Sequence, residues 1–196
     1  MPRSVVIILG FCWCLINISC LKTRTPDDPS QKSSNYVPPT EPSLVFQNMV
    51  NSFRDKNVEN YLRSFADNTS SNVIFSFEPT PQAELRYSGV FIQWKKESEK
   101  EYFNAMNSKL NAGSVPTLEF QKLTQQSIST DSTQYEAEYI LTVPHTQSNV
   151  PTQAKGKAQF FLVSDRLQNW VIRRWIDIAE NQDDFTWSEL KGVFSP

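Results

Sequence analysis

Any imidazole mechanism in this chain must use His145, because it is the only histidine among 196 residues. It follows Pro144 at the end of an apolar run, and no carboxylate lies at a spacing that would orient its ring. Serines are too numerous for a Ser-His-Asp set to carry information by itself. A zinc site would need a His pair or a set of cysteines. The acids of NQDDFTW (181–187) lack the glycine-spaced pattern of a calcium loop. The five glycines are scattered, so no phosphate-cradling loop is present. The sequence therefore points to no catalytic residue, no metal ligand and no cofactor.

The groups that could still meet a ligand are aromatic hydroxyls and one arginine. Tyr61, Tyr87, Tyr102, Tyr135 and Tyr139 each pair an apolar body with a polar tip. In YEAEYILTV (135–143), alternation puts Tyr135, Ala137, Tyr139, Leu141 and Val143 on one face and Glu136 and Glu138 on the other. In NWVIRRWIDIAE (169–180), the same rule groups Arg174 with Trp170, Ile172, Ile176 and Ile178, and Arg173 with Val171, Trp175 and Asp177. Arg173 then faces the Glu136 and Glu138 side, where a cross-strand ion pair is natural. Arg174 is a fixed charge on the apolar face, and an unpartnered guanidinium there is costly. It must border a cavity, pair with an acid such as Glu59, or meet an anionic ligand. The expected ligand-binding surface is Arg174 with Tyr87, Trp94, Tyr102 and Tyr139.

The elements that would position these groups change period midway. Phe46, Met49, Val50 and Phe53 recur at helical spacing, and Asn57 can cap a second helix with Val58, Tyr61, Leu62 and Phe65 inward. VIFSF (73–77) reads as a short strand and PTPQAEL (79–85) as a Pro-punctuated loop. A third helix is expected from about Ile92 to Leu110, its KKESEKE run forming a solvated face. Four strand-like runs follow, joined by short polar links as an antiparallel meander requires. Helices first and then a sheet give an α+β domain.

Two segments carry a family likeness. KNVENYLRSFADN (56–68) resembles the second helix of the nuclear-transport-factor-2-like, or SnoaL-like, superfamily, and YSGVFIQWKKESEKEYFNAM (87–106) resembles its third helix with the glycine before it. The likeness covers roughly residues 43–179, and TWSELKGVF (186–194) resembles tails of uncharacterised bacterial lipoproteins in that superfamily. It implies N-terminal helices packed on a strongly curved, mostly antiparallel sheet, forming a cone-shaped, cystatin-like barrel with an interior pocket. It implies no activity, because isomerases, cyclases, dehydratase-like enzymes and binding modules share the fold.

The N-terminus reads as an address. Arg3 precedes the apolar run Val5–Ile18, which is too short to span a bilayer comfortably, and INISC ends at Cys20. Ser19 and Cys20 fit a lipoprotein signal, with lipid carried on Cys20, although Asn17 stands where an aliphatic residue is usual. All three cysteines (12, 14 and 20) lie in this leader, so the rest of the chain has no thiol. Residues 1–20 are expected to be the signal peptide, 21–42 a flexible Pro/Ser/Thr-rich tether, and 43–196 a single domain. The formal charge is −2, with no basic cluster, so nucleic acid is not an expected partner. The expected setting is the bacterial cell envelope, with the membrane as partner through a lipid anchor. Three roles fit: binding a small molecule or envelope partner without catalysis, acid–base catalysis on a small apolar or polyketide-like substrate, or a filled interior with a dimerising surface. An interior carboxylate beside a tyrosine or arginine would favour the enzyme.

Overall fold

Residues 35–195 are described in a computed structural model. The expected signal peptide, the lipidated Cys20 and most of the tether lie outside them. Asn35–Glu41 hydrogen-bonds to the domain. Asn48 clamps Val37, accepting from its N–H at 2.9 Å and donating to its carbonyl at 2.6 Å, and Trp170 N–H donates to the Pro39 carbonyl.

Helix α1 (Pro42–Asp55) opens with proline in its first turn, where no amide donor is missed, and ends at Lys56 in the left-handed conformation. Its buried stripe is Val45, Phe46, Met49 and Phe53. Asn57 accepts from the Asn60 amide and starts α2 (Val58–Leu62). After β1 (Ser76–Glu78) comes α3 (Pro81–Arg86), capped by Thr80, in the stretch expected to be loop. Helix α4 (Lys96–Ser108) starts later than its periodicity suggests, because residues 87–93 form turns. The strands β2 (Thr117–Ser129), β3 (Ser132–Thr142), β4 (Gln153–Ser164) and β5 (Trp170–Ile178) form the expected antiparallel meander. Helix α5 (Trp187–Phe194) was not foreseen as an element.

The α+β class stands, but the cone-shaped barrel does not. The five strands form an open sheet in the order β1-β5-β4-β3-β2. Closure would require the edge strands to meet. Instead β1, three residues long, pairs only with β5, in parallel, and β2 pairs only with β3. One face carries Leu118, Tyr135, Tyr139, Leu141, Phe160, Leu162 and Trp175, all buried beneath the helices. The other carries Glu136, Glu138, Lys157, Gln159 and Arg174 and has no helical layer among the described residues.

A bulge in β5 decides which arginine goes where. Leu162 pairs with Ile172 and Phe161 with Arg174, leaving Arg173 as an extra residue. Two residues opposite one invert the alternation beyond that point. Ile172 is buried before the bulge; Trp175 and Asp177 are buried after it. Arg174 therefore lies on the outer face, not the apolar one. Its Nε and Nη2 donate to the Glu78 carboxylate at 2.5 and 2.9 Å, and its guanidinium stacks over Phe161. Arg173 is exposed. Both arginines are outside.

This arrangement makes the doublet unequal in an unexpected way. Arg174→Leu should lower stability by less than about 1 kcal/mol, since both partners are well exposed. Arg173→Ala should change it by no more than about 0.5 kcal/mol. Deleting Arg173 should lower Tm by no more than a few °C, because Ile172 and Arg174 already pair with the consecutive residues Leu162 and Phe161 and both halves of β5 keep their faces. Thermal melts followed by far-ultraviolet circular dichroism separate the three.

Candidate functional site

The chemistry of this domain is concentrated under α5. The helix repeats Trp187, Leu190, Lys191 and Phe194 at i, i+3, i+4, i+7, and all four are buried. Helix α4 does the same with Glu99, Tyr102, Phe103 and Met106. Each stripe thus carries one charge, and the charges meet. Lys191 Nζ donates to Glu99 Oε1, with both side chains at 0 % exposure.

The pair is held by groups from four other places in the chain. Trp94 Nε1 donates to Glu99 Oε1 at 2.7 Å, and the Tyr61 hydroxyl donates to Oε2 at 2.7 Å. Around the ammonium stand aromatic faces: its nitrogen is 3.6 Å from the Phe77 ring centre and 3.8 Å from that of Trp175, with Trp94 at 5.2 Å. Ring faces attract cations, and more so away from water. Burial pulls the Lys191 ammonium down to about 8, against the Glu99 carboxylate, which holds it up. Burial first, and the nearby Glu99 charge second, push the Tyr61 and Tyr102 hydroxyls well above 10.

A second buried carboxylate anchors the start of α5. Asp177 Oδ2 accepts from Ser188 N–H at 2.7 Å and from its hydroxyl at 2.5 Å, while Oδ1 accepts from the Tyr139 hydroxyl at 2.7 Å. The Trp187 amide donates to Tyr139 Oη at 2.8 Å. Two amides that a helix start leaves open are thus satisfied by β5 and β3, since Thr186 makes no capping bond. Burial raises the Asp177 carboxyl, opposed by the Ser188 and Tyr139 bonds. Tyr139 lies across from Gly156, where an added Cβ would fall 2.7 Å from its hydroxyl oxygen. Glycine here keeps the path to Asp177 clear.

Of the five residues expected to line a ligand site, three are brought together inside. Trp94 holds Glu99, Tyr139 holds Asp177, and Tyr102 accepts from Trp187 Nε1 at 3.1 Å. Tyr87 is half-buried at the edge of α5, its ring so close to Gly192 that a Cβ there would fall 2.3 Å from it. Arg174 is on the opposite side of the sheet. Glu99, assigned by its charged neighbours to a solvated face, is at the centre. Lys191, Asp177 and Trp175 were missed. The first two stripes could have been found by testing helical spacing through the charges rather than between them.

His145 is buried in an isolated antiparallel bridge to Leu110, its Nε2 3.2 Å from the Pro151 carbonyl and its ring edge-on to Phe194, with no carboxylate among its hydrogen-bond partners. Among the described residues no three His, Cys, Asp or Glu side chains are grouped as a metal would need, and no helix is long and apolar enough to cross a membrane. Among the described residues, five of the surface clefts have volumes of about 180 to 610 Å³, and Glu99, Lys191 and Tyr139 line none of these five. One, of about 270 Å³, lies on the outer sheet face between Lys122, Glu136, Glu138 and Lys157.

No family profile matches the chain. No curated protein matches it either. Solved structures do. A proposed aromatic ring hydroxylase from Novosphingobium aromaticivorans superposes with a TM-score of 0.53 at 11% identity, covering 74% of this chain and 91% of that one. A Mycobacterium tuberculosis protein of unknown function gives 0.50 at 12% identity, over 77% and 89%. A nuclear-transport-factor-2-like superfamily protein from Salmonella enterica gives 0.51 at 9% identity, over 71% and 88%. At these identities the likeness speaks for the fold and not for an activity. The described domain has the nuclear-transport-factor-2-like, SnoaL-like fold.

Proposed function

We propose that this chain is an envelope-tethered, non-catalytic interaction module whose interior is filled by its own C-terminal helix and whose outer sheet face pairs with a second copy. The observation that carries the reading is the state of the interior acids. Glu99 and Asp177 have the desolvated, tyrosine-flanked setting of acid–base catalysts, yet every oxygen is engaged by a group of the same chain. Their side chains are at most 3 % exposed. A substrate would have to displace α5 first.

The outer face supports the second half. Glu138 lies between Lys122 at 2.8 Å and Lys157 at 4.0 Å, and Lys157 reaches Glu180 at 2.9 Å. Half-buried Ile140, Phe161, Ile176 and Ile178 flank these charges. Lysines and glutamates interspersed on one apolar-flanked surface can match a two-fold copy of themselves. The runner-up is a SnoaL-like acid–base enzyme. Glu99 and Asp177 favour it, as interior acids beside tyrosines, and it requires α5 to withdraw during turnover.

Three outcomes are expected. The purified protein should sediment as a dimer at about ten micromolar, and Ile140→Glu with Ile176→Glu should make it monomeric without lowering helix content; a monomeric wild type refutes the pairing. Cys20→Ser should release the protein from the membrane fraction, since several acyl chains hold firmly where one does not. An unchanged fraction together with an unacylated wild-type mass refutes the anchor. The filled interior also has a pH signature. Between pH 8 and the ordinary lysine value of 10.5 the unfolded chain binds the Lys191 proton more tightly than the folded one, so this residue's contribution to stability rises with pH. Above pH 10 the buried tyrosines act in the opposite sense. The stability of wild type relative to Lys191→Met should therefore increase from pH 7.5 to 9.5 in urea titrations. A flat difference would mean that Lys191 is not sealed.

A further inference from the structure

Apart from Lys191 itself, the groups that bond Glu99 or face the ammonium come from outside α5, although Trp187 of that helix backs two of them, packing on Trp175 and donating to Tyr102. The walls of this chamber are Tyr61 from α2, Phe77 from β1, Trp94 from the turn before α4, Glu99 and Tyr102 from α4, and Trp175 from β5. Glu99 is held by Trp94 and Tyr61 as well as by the lysine, so two of its donors come from outside α5. The receptor is thus built by the body of the domain, and the lysine is inserted into it from the last helix. Aromatic faces around a fixed carboxylate are the chemistry that recognises an organic ammonium ion. The carboxylate supplies the counter-charge, and the rings exclude water and admit an alkyl stem.

We propose that this chamber is a binding site for primary alkylammonium compounds, held in the resting domain by Lys191 as an occupant in cis. A free ligand of this class competes with α5 for the same place. This inference does not rest on the dimeric surface reading. It adds a ligand class to an interior that the resting domain keeps closed. The attachments of α5 set the threshold for exchange. Asp177 fixes Ser188, Tyr139 fixes the Trp187 amide, and Arg86 pairs with Glu189 at 2.7 Å. A ligand must therefore compensate for more than one ammonium contact.

The test removes the internal occupant and returns its chemistry in solution. Lys191→Ala deletes the equivalent of n-propylammonium from the chamber while leaving α5 in the full-length protein. Adding n-propylammonium should raise the Tm of the variant by about 4 °C at roughly ten times its Kd. Propan-1-ol and propionate should not, and wild type should not respond. The additional change Glu99→Gln should abolish the rescue. Equal rescue by propan-1-ol overturns the proposal, because it reports only a filled hole, and so does the absence of any rescue. If Lys191→Ala does not fold unaided, refolding from urea with and without n-propylammonium, followed by tryptophan fluorescence, replaces the melt. A yield no better than with propan-1-ol then overturns it equally.

Discussion

Two opposite charges without solvent exposure are the constraint around which this domain is arranged. Removing Glu99 and Lys191 from water costs several kcal/mol per ion, and their mutual attraction offsets it only if the remaining hydrogen-bonding capacity is met. Two aromatic donors satisfy the carboxylate, and ring faces surround the ammonium. Groups from four other places in the chain must therefore reach the pair on α4 and α5 with correct geometry. Such a pair specifies an arrangement more than it stabilises one. An apolar substitute at both positions would tolerate slippage of α5 along α4, whereas the ion pair does not.

Asp177 repeats the logic at the other end of α5, and it depends on two local irregularities in the sheet. If Arg173 entered the ladder as a regular pair instead of bulging, Asp177 would face solvent with Ile176 in its place. Without the open space at Gly156, the Tyr139 hydroxyl could not lie between Asp177 and the Trp187 amide. A single inserted residue and a single missing side chain thus determine where the C-terminal helix begins.

Much of the fold could be read from periodicity, and the failures share a cause. The order of four long strands, the first two helices and the inward set Tyr135, Tyr139 and Leu141 followed from simple spacing. Arg174 was misplaced because alternation cannot register a bulge, and every residue after it inherited the error. Glu99 and Lys191 were passed over because charge was read as exposure, although each occupies an apolar position of its helical stripe. Helix α5 has only eight residues, two of them charged and one a glycine, so its pattern fell below what a short window can support. The site was least legible where the sequence broke the rule by which it was read. The barrel expected from family likeness failed for a different reason, since strand number and order do not determine closure. That depends on edge lengths, and β1 has three residues.

The position of α5 in the chain also fixes an order of assembly. A polypeptide that appears N-terminus first, from a ribosome or through a membrane pore, presents Glu99 92 residues before Lys191, and Asp177 11 residues before Ser188. During that interval both carboxylates would have to be buried uncompensated or left wet, and leaving them wet is far less costly. The helices and sheet can approach one another but cannot close. Cooperative collapse would then wait for α5, and the chain before it would stay slack enough to be threaded until that helix arrives.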